Sequence, residues 1–211
     1  MTFPSKVAYL LIVGVTLPVV VFAGQSAPCL KAVSSENGDF LVTSQLESFG
    51  VTGRRMTFEI FPRSALINNG DVLSAASWDD RLQWSVVLES QKGSPVGVCP
   101  LLLITDNGEY LVVLNQYAIE FAAPALRIYR RERHSPDLTT RVDDSGVLVK
   151  DIYVAEIWPP GHLPRLVSDG TPQWFADGTF EFSPDNQSLI HKTRWGNTVR
   201  INLSDGSVGS E

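Results

Sequence analysis

Apolar and polar residues alternate with a period of two in several short runs, and turn residues separate the runs. This pattern predicts antiparallel strands rather than helices. The cleanest runs are Thr57-Phe58-Glu59-Ile60, Ala125-Leu126-Arg127-Ile128 and Thr198-Val199-Arg200-Ile201-Asn202-Leu203. Phe58 and Ile60, Leu126 and Ile128, and Val199, Ile201 and Leu203 share one face of their runs and are expected in a core. Glu59, Arg127 and Arg200 fall on the opposite face and are expected in water. Trp84 alternates with Val86 and Leu88 and reads as core as well. Asp71–Ala75 and Val147–Val149 follow the turn signals Asn69-Gly70 and Asp144-Ser145-Gly146. Asp151–Trp158 fits either a strand or one short helix, stopped by Pro159-Pro160.

Three segments repeat a unit of Ser or Thr, an acidic-asparagine turn, and an apolar strand. They are Ser34–Val42, Thr105–Val112 and Ser183–Ile190, aligned within one residue. Asn-Gly and Asp-Asn supply the left-handed backbone that a tight hairpin needs. The third unit, Phe182-Ser183-Pro184-Asp185-Asn186 followed by Leu189, resembles the F-S-P-D-G-x-x-L signature of TolB-type β-propeller repeats. Asn186 and Gln187 replace the family's usual Gly and polar residue, and the other two copies lack the proline. The resemblance implies antiparallel four-stranded blades with function in variable loops, and it carries no catalytic residue across. Asn37, Asn107 and Asn186 are separated by 70 and 79 residues, close to two blades each at roughly 40 residues per blade. The expected fold class is therefore mainly β, a degenerate propeller of four or five blades. A β-sandwich or an open β array are the alternatives.

The N-terminus changes the compartment. Lys6 precedes seventeen uncharged, mostly apolar residues, Val7–Ala23, and Val21-Phe22-Ala23 carries the small or apolar residues that a signal peptidase reads. Residues 1–23 are expected to be a signal peptide cleaved after Ala23, leaving residues 24–211 as one β-rich domain, secreted or periplasmic. An uncleaved anchor, with the domain outside, is the rival; the run is short for a bilayer and contains Pro18. The only cysteines, Cys29 and Cys99, follow the leader, so an oxidising compartment favours a disulfide between them over two buried thiols.

Without Lys6 the chain holds 16 Lys and Arg against 23 Asp and Glu, which argues against nucleic-acid binding. Arg127, Arg130, Arg131 and Arg133 form the one basic cluster and read as a solvated strand end. Asp144-Ser145-Gly146 matches the core of the aspartic-protease signature, but it has no second copy and reads as a solvated turn. The acid pairs Asp79/Asp80 and Asp143/Asp144 lack the spacing of a calcium loop. His134, His162 and His191 are too scattered for a local metal motif. A nucleophile elbow, a P-loop and a dinucleotide fingerprint are all missing, so neither metal nor cofactor is expected.

Five tryptophans are many for this length, and Trp78, Trp158, Trp174 and Trp195 adjoin turn residues. Trp158, His162 and Trp174 form the candidate binding loop, since rim aromatics grip sugars and peptides. Core packing is the competing explanation for these rings. The expected function is a non-catalytic exported protein that holds a macromolecular or envelope partner through its loops. One alternative is a hydrolase whose carboxylates, from Asp79, Asp80, Asp143, Asp144 or Asp177, meet only on folding. A membrane-tethered structural subunit that keeps its leader is another.

Overall fold

The computed structural model describes residues 31–49, 53–63, 82–89, 100–115, 118, 123–133, 144–158, 178–193 and 196–210. Strands β1 (Lys31–Ser34), β2 (Phe40–Phe49), β3 (Gly53–Pro62) and β4 (Trp84–Glu89) form a first antiparallel meander. Strands β5 (Leu101–Ile104), β6 (Tyr110–Leu114), β7 (Leu126–Glu132) and β8 (Asp144–Ile152) form a second. After a single helical turn, α1 (Val154–Ile157), come β9 (Gly178–Phe182), β10 (Ser188–Thr193), β11 (Thr198–Asn202) and β12 (Val208–Ser210) as a third. The fold is mainly β and almost wholly antiparallel.

The exception is a two-residue parallel seam, Trp84 opposite Asp144 and Ser85 opposite Ser145, which joins the first two meanders into one sheet ordered β1-β2-β3-β4-β8-β7-β6-β5. Its two end strands, β1 and β5, come back beside one another. The seam depends on Gly146. A Cβ there would lie 2.2 Å from Val86 Cγ2 and 2.7 Å from the Trp84 ring. Asp144-Ser145-Gly146 is therefore the start of β8 and not the turn its composition suggests, because close approach, rather than chain reversal, is what the glycine permits here.

Two cores separate three layers. Val42, Phe58, Ile60, Trp84 and Val86 of the first meander meet Leu102, Ile104, Leu111, Val113 and Tyr129 of the second. The opposite face of the second, with Val112, Leu114, Leu126, Ile128 and Ile152, meets Leu189, Val199, Ile201 and Leu203 of the third. Sheets stacked face to face in chain order are how propeller blades pack. The middle sheet is covered on both sides, so β6 is an unbroken apolar run with every residue buried. β11 borders water on one face and keeps its alternation, with Val199 and Ile201 buried and Arg200 exposed.

The expected core positions Phe58, Ile60, Leu126, Ile128, Val199, Ile201, Leu203 and Trp84 are all buried. Arg127 departs from expectation. A middle layer has no free face, so its guanidinium is half-buried and paired with Asp151 at 3.1 Å. Glu59 is likewise half-buried, accepting from Thr43 Oγ1 at 3.4 Å. Burial, offset in part by Arg127, raises the Asp151 pKa, and burial pushes the Tyr129 hydroxyl up to about 12.

Among the described residues each interval between corners carries one four-stranded meander. β2 and β3 are long strands, ten residues each. The candidate strand Asp71–Ala75 lies outside the described residues. Asp151–Trp158 holds both of its expected conformations: β8 ends at Ile152 and α1 follows, with Glu156 Oε1 accepting the Tyr153 amide at 3.0 Å.

Candidate functional site

The three repeated corners link the first strand of each meander to the second, and they share one hydrogen-bond plan. The hydroxyls of Ser35, Thr105 and Ser183 donate to Oδ1 of Asn37, Asn107 and Asp185 at 2.8, 2.7 and 2.5 Å. The same hydroxyls accept the amides of Phe40, Tyr110 and Ser188 at 3.1, 3.1 and 2.9 Å. Each Oδ1 also accepts an amide two residues on, from Asp39, Glu109 and Gln187. The following residue takes a left-handed conformation, with φ of 76° at Gly38, 67° at Gly108 and 56° at Asn186. Asparagine tolerates that region better than other residues with side chains, which is why Asn186 can stand where the first two corners carry glycine. The structural equivalents are thus Asn37, Asn107 and Asp185, one residue away from a match on Asn186. The Ser183 hydroxyl and then the Gln187 amide hold the Asp185 carboxyl below its ordinary pKa.

The corners also bond to one another. Asn37 donates its amide to Asp106 Oδ1 at 2.8 Å, and the Asp106 amide donates to Asn186 Oδ1 at 3.0 Å. Phe40 lies across Gly108, and the Trp84 indole N–H donates to the buried Gly108 carbonyl at 2.8 Å. One end of the three-layer stack is therefore a single polar junction. Sequence alignment finds the corners but has no signal for these links, because they join residues 69 and 80 positions apart.

Beside the junction is a cavity of about 250 Å³. Each meander contributes its first strand or corner: Ser34 and Glu36 from the first, Leu103 and Ile104 from the second, Phe180, Glu181 and Phe182 from the third. β1, β5 and β9 are all sheet-edge strands. Glu36 and Glu181 are exposed, and Lys192 Nζ contacts Glu181. A second hollow, of about 500 Å³, lies at the opposite end of the sheets between α1 and the strand ends Asn197–Val199 and Val208–Ser210.

Trp158 is corrected by this geometry. Its ring is 7 % exposed and belongs to the core between the second and third meanders, because α1 turns it inward from the end of β8. His162 and Trp174 lie outside the described residues, as do Ala23, Cys29, Cys99, Asp79, Asp80, Asp143, Asp177, His134, Trp78 and Trp195. Asp144 is held by Arg131, whose Nε donates to its carboxylate at 2.7 Å, so it is a strand residue in an ion pair. Arg133 pairs with Glu109 next to the second corner. No group of three or more His, Cys, Asp or Glu among the described residues could hold a metal ion.

His191 is 1 % exposed, stacks on Phe180 at 4.3 Å and has Nδ1 3.2 Å from the Thr179 carbonyl. Burial pushes its pKa below the ordinary histidine range, against a smaller opposing effect of the Thr179 bond. The folded state thus takes up this proton less readily than the unfolded chain, whose histidines titrate near pH ~6.5. Its contribution to stability is complete above that pH and is lost as the pH falls towards the folded value. In an NMR titration the His191 ring signals should stay constant through pH ~6.5 while unfolding free energy declines below it. A full His191 titration at the ordinary value would contradict the buried placement.

No protein-family model matches the chain, and no curated protein matches its sequence. Among solved structures it is similar to the β-propeller domain of Cps50 (Swd1) from Myceliophteria thermophila, at 13% identity with a TM-score of 0.35. The match covers 84% of this chain and spans 38% of that one.

Proposed function

We propose that the chain is an exported, non-catalytic β-repeat protein of the TolB-propeller type that holds a macromolecular or cell-envelope partner at the end where its three corners meet. The observation that carries this reading is the bonded junction of Asn37, Asp106 and Asn186. It presents the exposed side chains of Glu36, Asp39, Asp185 and Gln187 from a frame that costs little further ordering on binding. Photo-crosslinking residues placed at Asp39 and Gln187 should yield a discrete adduct in cells. The same residue at Ala155, on α1 at the far end, should yield none. Equal labelling at both ends, or no adduct at the corners, overturns the proposal.

Export rests on residues 1–23, and the cysteines fit an oxidising compartment. Cys29 and Cys99 each stand six residues before the corner hydroxyl, Ser35 or Thr105, so they occupy equivalent repeat positions. The strands they precede, β1 and β5, lie side by side, which supports pairing. Non-reducing peptide mapping of the mature chain should recover a Cys29–Cys99 bridge and no peptide from Met1–Ala23. Alkylation of both thiols without reduction would refute the bridge. Its removal should cost roughly 4 kcal/mol, the chain-entropy value for a loop of this length.

A further inference from the structure

Resting on that partner-binding reading, we infer that the cavity among β1, β5 and β9 is a socket for one arginine side chain of a partner polypeptide. At about 250 Å³ it falls below the ~300–1,000 Å³ of ordinary small-molecule sites, and a single inserted side chain suits it better. Its walls are apolar, with Leu103 and Ile104 from one sheet and Phe180 and Phe182 from another. The charged residues that line it among the described residues are both negative: Glu36 on the first corner and Glu181 on β9. Among the described residues no Lys, Arg or His lines it, and Lys192 contacts its rim through Glu181.

That combination selects the occupant. A calcium or magnesium ion would need about six oxygen ligands and would meet aromatic rings instead. An anion would meet two carboxylates. A guanidinium suits both features, since its fork pairs with carboxylates and its flat face stacks on aromatic rings. The Lys192–Glu181 pair is about half-exposed on both sides, so it contributes little and an incoming guanidinium can displace it. The mature chain's excess of acids, 23 Asp and Glu against 16 Lys and Arg, assists the encounter.

The test is an NMR titration of the full mature chain with the blocked peptide Ala-Ala-Arg-Ala-Ala, beside versions carrying Lys, Ala or Glu at the centre. The arginine peptide should cause saturable shifts at the amides of Ser34–Asn37 and Phe180–Phe182. Binding should weaken more than tenfold in the Glu36→Gln/Glu181→Gln variant, whose substitutions are exposed and spare the fold. Lys192→Ala should strengthen binding severalfold by removing the competing cation, an effect that a merely structural Lys192 would not produce. An Ala or Glu peptide that binds as well, or no saturable shift at millimolar peptide, overturns the socket. If corner crosslinking still gives its adduct, only the socket fails; if both are negative, the partner-binding reading fails with it.

Discussion

Replacing Gly108 with alanine should lower the unfolding free energy by about 3 kcal/mol, from the combined costs of a left-handed residue and an overpacked contact. Gly108 sits at φ 67°, where a side chain is disfavoured by roughly 1–2 kcal/mol. A Cβ would also stand 2.5 to 2.7 Å from three atoms of the Phe40 ring. That ring is half-buried against the core between the first two meanders, so it cannot simply swing into water. Gly196 is the matched control. Its φ is 85°, but a Cβ there meets nothing within 4 Å, so Gly196→Ala should cost only about 1 kcal/mol. Urea unfolding of the two variants, with unchanged m-values, separates contact from conformation. Equal midpoints would mean that the first two corners do not press together as described.

Strand content and facing were legible in the residues wherever a sheet has one wet face. Val199 and Ile201 flank Arg200 in a pattern that only a half-buried strand explains, and β11 bears it out. The middle sheet breaks that rule. Arg127 alternates just as cleanly, yet a second layer covers its face and an ion pair with Asp151 accommodates the charge. Periodicity reports how one strand divides its residues; it does not report what lies beyond the next sheet. The corners were legible for the same local reason, since hydroxyl, amide oxygen and left-handed residue all lie within six positions of one another. A match on asparagine falls one residue off at Asp185, because the hydrogen-bond plan needs any Asx oxygen two residues after the hydroxyl.

Aromatic residues were harder to place. Trp84 is core as its strand alternation indicates, whereas Trp158 is core through a single helical turn that its run leaves open between strand and helix. What no local pattern gives is the convergence of β1, β5 and β9 on one cavity. Glu36 and Glu181 are 145 residues apart and become neighbours only through the stacking order of three sheets. Candidate loops chosen by composition therefore missed the acidic rim, and no signal in the chain marks those two glutamates among its 23 acids.

Trp84→Ala should be as damaging as any single substitution in the described core, at about 3–5 kcal/mol for a fully buried aromatic. Trp84→Phe divides that cost. It keeps most of the ring volume between the first two meanders but removes the indole N–H, leaving the buried Gly108 carbonyl without its donor. That loss alone should cost about 1–3 kcal/mol. The glycine and tryptophan variants test one device from opposite sides, because Trp84 opens β4 at the seam while Gly108 lies at the second meander's corner. If Trp84 and Phe40 together clamp that corner, Gly108→Ala displaces the carbonyl and already weakens the indole bond. The Trp84→Phe/Gly108→Ala double variant should then lose less than the sum of its parts, by about 0.5–3 kcal/mol. Full additivity would mean that the indole bond survives the glycine replacement, and that the corner is braced by its own hydroxyl-to-Asx bonds instead.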